Sequence, residues 1–224
     1  MTVGAMSKVL TPFQAKFLDI FFRQEESNEF FLTGGTELAE YYLTHRYSDD
    51  LDLFTTSNEA LISMDNRMPE VVRSLHLQIV NHRRIGDFSG YILQDLNTSE
   101  GLKIDLVRDI EVQFGTKRKM DTYTIDSIEN ISSNKVCTIL SRTEVKDFVD
   151  LYFLIKENYI TLDKAIAMGK EKDLGLEKFI LAGLFRQADH FETLPRMIKP
   201  LALETLRNFY RNLSNQILDQ IKPV

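Results

Sequence analysis

The hydrophobic pattern of this chain changes period part-way along, and that change constrains its architecture more than any single motif. Up to about residue 127 short β-type runs alternate with helices; from about Ser127 onward the pattern is helical. In the first part, Phe30–Thr33 is an apolar run stopped by Gly34 and Gly35, and Thr36–Thr44 carries good helix formers, which predicts strand, glycine turn and helix. Leu51–Thr55 predicts a second strand and Asn58–Leu75 a helix interrupted near Pro69. Leu77–Arg83, Gly90–Gln94 and Leu102–Val107 predict three more strands. Helices are expected at Asn134–Leu140, Glu144–Asn158, Leu162–Gly169, Leu176–His190 and Leu201–Ile221, with Ser141-Arg142-Thr143-Glu144 spaced as a capping box that opens a new helix. The expected fold is α+β: a mixed β-sheet with flanking helices over residues 1–127, then a helical domain over 128–224. No repeat and no Pro/Gly/Ser-rich linker separates the two, so they are expected to pack closely, with a site in the cleft between them.

A chain of 224 residues with 43% hydrophobic and 27% charged positions can bury one core or two small ones, which excludes disordered and fibrous classes. No apolar run approaches the roughly twenty residues a membrane helix needs. Met1–Lys8 lacks a basic stretch followed by an apolar core, and the single Cys137 cannot form an internal disulfide, so a reducing cytoplasm is the expected location. Cys137 itself reads as buried and inert. The net charge of −6 argues against coating nucleic acid through bulk positive charge. Residues 1–127 carry 13 basic and 20 acidic side chains and residues 128–224 carry 14 and 13, so the question becomes whether carboxylates of the first part converge.

Three stretches could make them converge on a phosphate-bearing ligand. In Thr33-Gly34-Gly35-Thr36 paired glycines let the backbone approach a bulky anion at a helix start, although such turns also use glycine for steric reasons alone. In Ser48-Asp49-Asp50-Leu51-Asp52-Leu53-Phe54, strand alternation aims Asp50 and Asp52 at one side about 6.6 Å apart while Leu51 and Leu53 face the other. A divalent cation would relieve their repulsion, and oxygen ligands without Cys or His select magnesium or manganese; a solvated acidic turn is the alternative. Asp105, mid-strand in Leu102–Val107, either joins that cation or pairs with Lys103 two residues away.

The helical part offers further charges. Lys135 and Arg142, seven apart, either hold polyphosphate charge or meet solvent, and Asp147 is expected half-buried with Lys135 or Arg142 as partner, a pair that is structural or functional. Asp150 is expected to pair with Lys146. His76, His82 and His190 are dispersed, and His82-Arg83-Arg84 and Lys117-Arg118-Lys119 read as basic turns between strands, solvated or touching RNA phosphates.

Taken in order, Phe31-Leu32-Thr33-Gly34-Gly35-Thr36-Glu37-Leu38-Ala39, His45-Arg46-x-Ser48-x-Asp50-Leu51-Asp52-Leu53-Phe54, Lys103-Ile104-Asp105-Leu106, and Lys135 through Lys146-Asp147-Phe148-x-Asp150-Leu151 form a series. It resembles the AbiEii toxin family of nucleotidyltransferases, within the polymerase-β-like superfamily, over roughly residues 30–157. The resemblance implies a nucleotidyltransferase-fold sheet domain with a helical domain closing the nucleotide cleft, and a toxin of a bacterial type IV toxin–antitoxin or phage-defence pair with a cognate antitoxin. It implies transfer of NMP from an NTP with Mg2+, or Mn2+, as cofactor and release of pyrophosphate. By position, Gly34, Gly35 and Thr36 match the glycine motif at the triphosphate, Asp50 and Asp52 the metal-binding aspartates, and Asp105 the third acidic position, expected to act as general base. Lys135 and Asp147 match the helical motifs near the nucleotide. Lys135 with Arg142 is expected to neutralise the triphosphate, and Ser48 to touch a phosphate or be modified. Thr138 departs from the pattern, standing where a small apolar residue is expected. The implied acceptor is RNA, with the tRNA 3′ end favoured; a protein hydroxyl, a small molecule, or a nucleotide-binding module acting through a protein partner are the alternatives.

Overall fold

The computed structural model describes residues 9–221, so Met1–Lys8 lies outside the described residues. The described chain divides into two compact units. The first comprises residues up to Tyr42, Ser48–Glu111 and Thr116–Asp126; the second comprises Leu43–Tyr47, Val112–Gly115 and residues from Ser127 onward.

The first unit is built on a seven-stranded mixed sheet of order β3-β4-β5-β2-β1-β7-β6. Its strands are β1 (Phe31–Thr33), β2 (Asp50–Thr55), β3 (Leu77–Ile85), β4 (Phe88–Asp95), β5 (Gly101–Arg108), β6 (Arg118–Lys119) and β7 (Thr124–Ile125). β2 runs parallel to β5, and β1 parallel to β7; the remaining pairs are antiparallel. Helix α1 (Pro12–Phe21) precedes the sheet. Thr11 and Gln14 cap it reciprocally, and Pro12 sits in the first turn where its missing N–H costs nothing. The glycine turn opens α2 (Gly34–Glu37), which continues as a π-helical stretch, Leu38–Leu43.

Helix α3 (Asn58–Ser74) runs through Pro69, where the sequence predicts a break. Proline at 69 leaves the carbonyl of Asp65 without its helical donor; the Tyr91 hydroxyl donates to Asp65 Oδ1 at 2.5 Å and lies 3.3 Å from that carbonyl. One face of the sheet carries Leu51, Leu53, Tyr91, Leu93, Leu102, Ile104 and Leu106, which form a core with Phe17, Phe21, Leu61, Met64 and Met68 of α1 and α3. The opposite face carries Asp50, Asp52, Lys103 and Asp105 together with Phe54, Phe88 and Ile92.

The second unit is helical, with α4 (Ile128–Ser141), α5 (Val145–Lys156), α6 (Leu162–Lys172), α7 (Lys178–Phe185) and α8 (Leu203–Ile221); a 3-10 turn, Arg186–His190, follows α7. Its core centres on Tyr210, whose ring meets Phe148 at 4.8 Å and Phe185 at 5.0 Å and whose hydroxyl donates to the Phe148 carbonyl. Ser141 ends α4 instead of capping the next helix, and α5 starts after Glu144 with no side-chain cap. The Ser-x-x-Glu spacing fails here because the Ser141 hydroxyl is used within α4, donating to the Thr138 carbonyl. Cys137 is half-buried, with Sγ 3.5 Å from the Gly169 carbonyl. No described helix is long and apolar enough to cross a membrane.

Candidate active site

Parallel pairing of β2 with β5 sets Asp50 opposite Lys103 and Asp52 opposite Asp105. The alternation Asp50, Leu51, Asp52, Leu53 buries both leucines and leaves both aspartates half-buried on the polar face, and Lys103 and Asp105 follow the same rule on β5. The Lys103 ammonium lies 2.7 Å from Asp105 Oδ2 and 3.8 Å from Asp50 Oδ2. Burial lowers the Lys103 pKa, but the Asp105 hydrogen bond and the charges of Asp105, Asp50 and Asp52 outweigh it and leave the ammonium above its ordinary value. Asp105 Oδ1 is buried and has no hydrogen-bond partner. Among the described residues no three His, Cys, Asp or Glu groups close on one point as a ready-made metal cage. At this spot a lysine cation stands among the carboxylates instead.

The glycine turn meets the same carboxylates. Thr33 pairs with Asp52 across β1 and β2, and Gly34 has φ of +73°. A Cβ at Gly34 would lie 2.0 Å from Asp52 Oδ2, so this position needs glycine twice over, for its left-handed backbone and for the carboxylate pressed against it. The Thr36 hydroxyl donates to the Asp50 carbonyl, which ties the turn to the start of β2. Ser48, two residues before that strand, is half-buried, and its carbonyl accepts from the Gln14 side chain at 2.9 Å.

Two buried carboxylates that the sequence reading passed over brace the turn from behind. Asp126 Oδ2 accepts from the Thr33 hydroxyl at 2.7 Å, and Glu37 Oε2 accepts from the Asp126 N–H at 3.0 Å. Burial, with the Asp126 charge adding to it, raises the Glu37 pKa well above the usual carboxylate range, and Glu37 Oε1 has no partner. The sequence signal for this pair was weak, because Glu37 shares the stretch after the glycines with a second glutamate, Glu40.

The remaining site candidates lie in the second unit, in a buried ionic network. The Lys135 ammonium is 2.9 Å from Asp147 Oδ1 and 2.6 Å from Asp150 Oδ2. Asp147, expected half-buried, is wholly buried and also accepts from Arg142 Nε at 3.1 Å. Asp150, expected to pair with Lys146, turns inward and takes Arg46 through two nitrogens, at 2.7 and 2.8 Å, and His45 Nε2 at 2.7 Å. A local helical pair would leave that carboxylate in water, whereas its wholly buried place demands strong donors. Burial raises the Asp150 pKa, but Arg46 and Lys135 outweigh it and hold the carboxyl well below its usual range. Lys135 stays charged because Asp150 and Asp147 outweigh the effect of burial. His45 is pushed down by burial, against the pull of Asp150, and stays neutral with Nδ1 unpartnered. The backbone of Leu43–Tyr47 is held by Arg196–Lys199, with Ile198 and Lys199 N–H groups donating to the His45 carbonyl.

The basic runs are not turns. Arg118 and Lys119 form β6, with the Arg118 guanidinium over the Tyr42 ring and the Lys117 ammonium 4.1 Å from the centre of the Phe31 ring. His82, Arg83 and Arg84 lie within β3.

The family described as "Nucleotidyl transferase AbiEii toxin, Type IV TA system" matches residues 16–220. The chain belongs to the AbiEii family. It is accordingly a nucleotidyltransferase toxin of a type IV toxin–antitoxin system, and that family implies an antitoxin partner. The crystal structure of JHP933 from Helicobacter pylori superposes with a TM-score of 0.57 at 19% identity, over 92% of this chain and 91% of that one. A second structure, "Crystal structure of putative nucleotidyltransferase from H. pylori", gives 0.58 at 18% identity, over 94% and 96%. At these identities the likeness is one of fold. Comparison with curated proteins returns no match. AbiEii membership thus agrees with the four motifs read from the sequence, and with an α+β fold of mixed sheet and helices.

Proposed function

We propose that this AbiEii enzyme transfers a nucleoside monophosphate from an NTP to an RNA 3′ end, tRNA favoured, and releases pyrophosphate. The observation that carries the reading is a cation already lodged among Asp50, Asp52 and Asp105, beside a glycine turn that only a residue without a side chain can form. Carboxylates that hold an ammonium, one with an oxygen lacking any partner, fit a hard divalent ion. Asp50, Asp52 and Asp105 would hold magnesium, which when bound supplies charge compensation for phosphate oxygens.

The residues of this chain do the rest. The backbone N–H groups of the glycine turn, at the start of α2, would receive the triphosphate. Asp105 accepts the proton of the acceptor hydroxyl; the hydroxyl oxygen bonds to the α-phosphorus, and the bond to the bridging oxygen breaks as pyrophosphate leaves. Glu37 and Asp126 hold Thr33 and so the glycine turn. Ser48, two residues before β2, would contact a phosphate there. Lys135, Arg142 and Asp147 enter as a charge network that keeps the helical unit rigid, since the Lys135 ammonium is engaged by two carboxylates. The test is incubation with each labelled NTP, magnesium and total tRNA. Label on RNA with the wild-type chain and none with Asp52→Asn is expected; label on protein or a small molecule instead would replace the acceptor, and no label anywhere would defeat the reading.

A further inference from the structure

The basic run His82-Arg83-Arg84 plays no part in the reaction above, and the pleat of β3 divides it. His82 and Arg84 face α3: the His82 ring stacks on Tyr91 at 4.3 Å, and Arg84 donates to Asp65 at 2.8 Å. Arg83 points the other way. Its register partner on β4 is Gly90, whose partner on β5 is Asp105, whose partner on β2 is Asp52. Four strands thus place Arg83, Gly90, Asp105 and Asp52 in one row on the polar face, with Arg83 about 10 Å from Asp105 at the backbone for a strand spacing of about 4.8 Å. Arg83 is exposed and, unlike its two neighbours, has no hydrogen-bond or ion-pair partner among the described residues.

The middle of this row is bare and lies beside an aromatic ring. A Cβ on Gly90 would meet the Phe88 ring at 2.8 Å and Asp105 Oδ1 at 3.3 Å, so the ring edge and the carboxylate oxygen border the space that only glycine leaves. Ile85 and Ile92 flank it on the same face, 54% and 47% exposed. A half-buried aromatic ring, uncovered apolar neighbours and one uncommitted cation in line with a carboxylate are the elements by which single strands are held: bases stack and a phosphate is neutralised.

We propose that Arg83, Phe88 and the floor at Gly90 form the platform on which the 3′-terminal nucleotides of a single-stranded RNA acceptor lie, with a base on Phe88, a phosphate at Arg83 and the terminal hydroxyl at Asp105. This rests on the proposed reaction and names where its acceptor sits. It accounts for how a sheet rich in carboxylates receives a polyanion: the one uncommitted cation of β3 stands on the acceptor's path.

The experiment measures binding of a short fluorescein-labelled single-stranded RNA with a free 3′ hydroxyl by anisotropy over a range of salt, using the full chain, alongside transfer kinetics. Arg83→Gln is expected to weaken binding about three- to tenfold and to reduce the slope of log affinity against log salt by roughly 0.7, while Arg83→Lys restores the slope. Phe88→Ala is expected to weaken binding about tenfold and Phe88→Tyr to restore it. Gly90→Ala, which pushes the Phe88 ring aside, weakens it similarly. In transfer assays the KM for RNA rises and the KM for NTP does not. Arg23→Gln, which removes an exposed cation paired with Asp19 on α1, makes the same charge change elsewhere and is expected to leave binding unaltered.

RNA affinity and salt slope unchanged in both Arg83→Gln and Phe88→Ala would overturn the platform. So would transfer by the wild-type chain to a protein or a small molecule without RNA binding, which leaves nucleotidyl transfer standing. Arg83-dependent RNA binding by a chain that transfers nothing supports the platform and defeats the proposed reaction.

Discussion

The two units treat charge in opposite ways. On the polar face of the sheet, Asp50, Asp52 and Asp105 are half-buried and stand around the ammonium of Lys103, itself 45% exposed, so like charges are held close at a partly solvated place. In the helical unit, Asp147 and Asp150 are wholly buried, and each takes two or three cationic or hydrogen-bonding partners. Repulsion tolerated at a surface is a signature of a ligand to come, whereas a saturated buried network is a signature of architecture. Charged residues that look alike in sequence motifs therefore stand in different surroundings.

The comparison breaks most visibly at Asp52. Asp52→Ala is expected to lower transfer at least ~100-fold while leaving the melting temperature close to wild type, because it removes a repelling charge and no core contact; label incorporation and a thermal melt check the two halves. Asp150→Ala should do the reverse. Leaving Arg46, Lys135 and His45 without their shared acceptor should cost about 3–5 kcal/mol, read as a lower urea midpoint, with activity at low temperature falling only as far as the folded fraction does. Gly34→Ala sits between the two, since the methyl group must displace the Asp52 carboxylate and the backbone is left-handed; the expected result is loss of transfer together with a melt lowered by about 1–2 kcal/mol equivalent.

The smallest effect sharpens the contrast through pH. Glu37 has a raised pKa in the fold, so the stability it contributes is complete below the unfolded value of about 4.3 and is lost as pH rises through the folded value. Asp150 and His45 are depressed. Their contributions are complete above the unfolded values, about 3.9 and 6.5, and fade as pH falls through the folded ones. Urea midpoints across pH should therefore show Glu37→Gln flattening the decline of the wild-type chain as pH rises above about 4.3 and His45→Gln flattening part of the decline as pH falls below about 6.5. The opposite assignment of limbs would refute this account of the two units.

The fold and half of the candidate site could be read from local patterns. Period-two alternation was enough to pair Asp50 with Asp52 and to put Asp105 mid-strand, and the expected burial of Asp147 called for Lys135 or Arg142 as its partner, where the structure uses both. What local patterns could not give was any partner far along the chain. Glu37 meets Asp126 across 89 positions and Arg46 meets Asp150 across 104, and the i,i+4 rule that favoured Lys146 yields once burial makes solvation impossible. Capping signals show the same limit. Thr11-x-x-Gln14 is a capping box that the structure uses and the sequence reading left unremarked, whereas Ser141-x-x-Glu144 has the spacing and is not used. Helix α3 passes Pro69, and the Tyr91 hydroxyl near the freed Asp65 carbonyl comes from 22 residues on, which no window of sequence around the proline reveals.

Gly34 and Asp52 occupy a single volume, and this has a genetic consequence. Any amino-acid replacement at 34 evicts the neighbouring carboxylate as surely as a replacement at 52 deletes it, so cells selected for escape from this toxin would accumulate lesions at a position with no ionisable group at all. The inactivating spectrum should be wider than the list of acids and bases, and glycine would head its silent half.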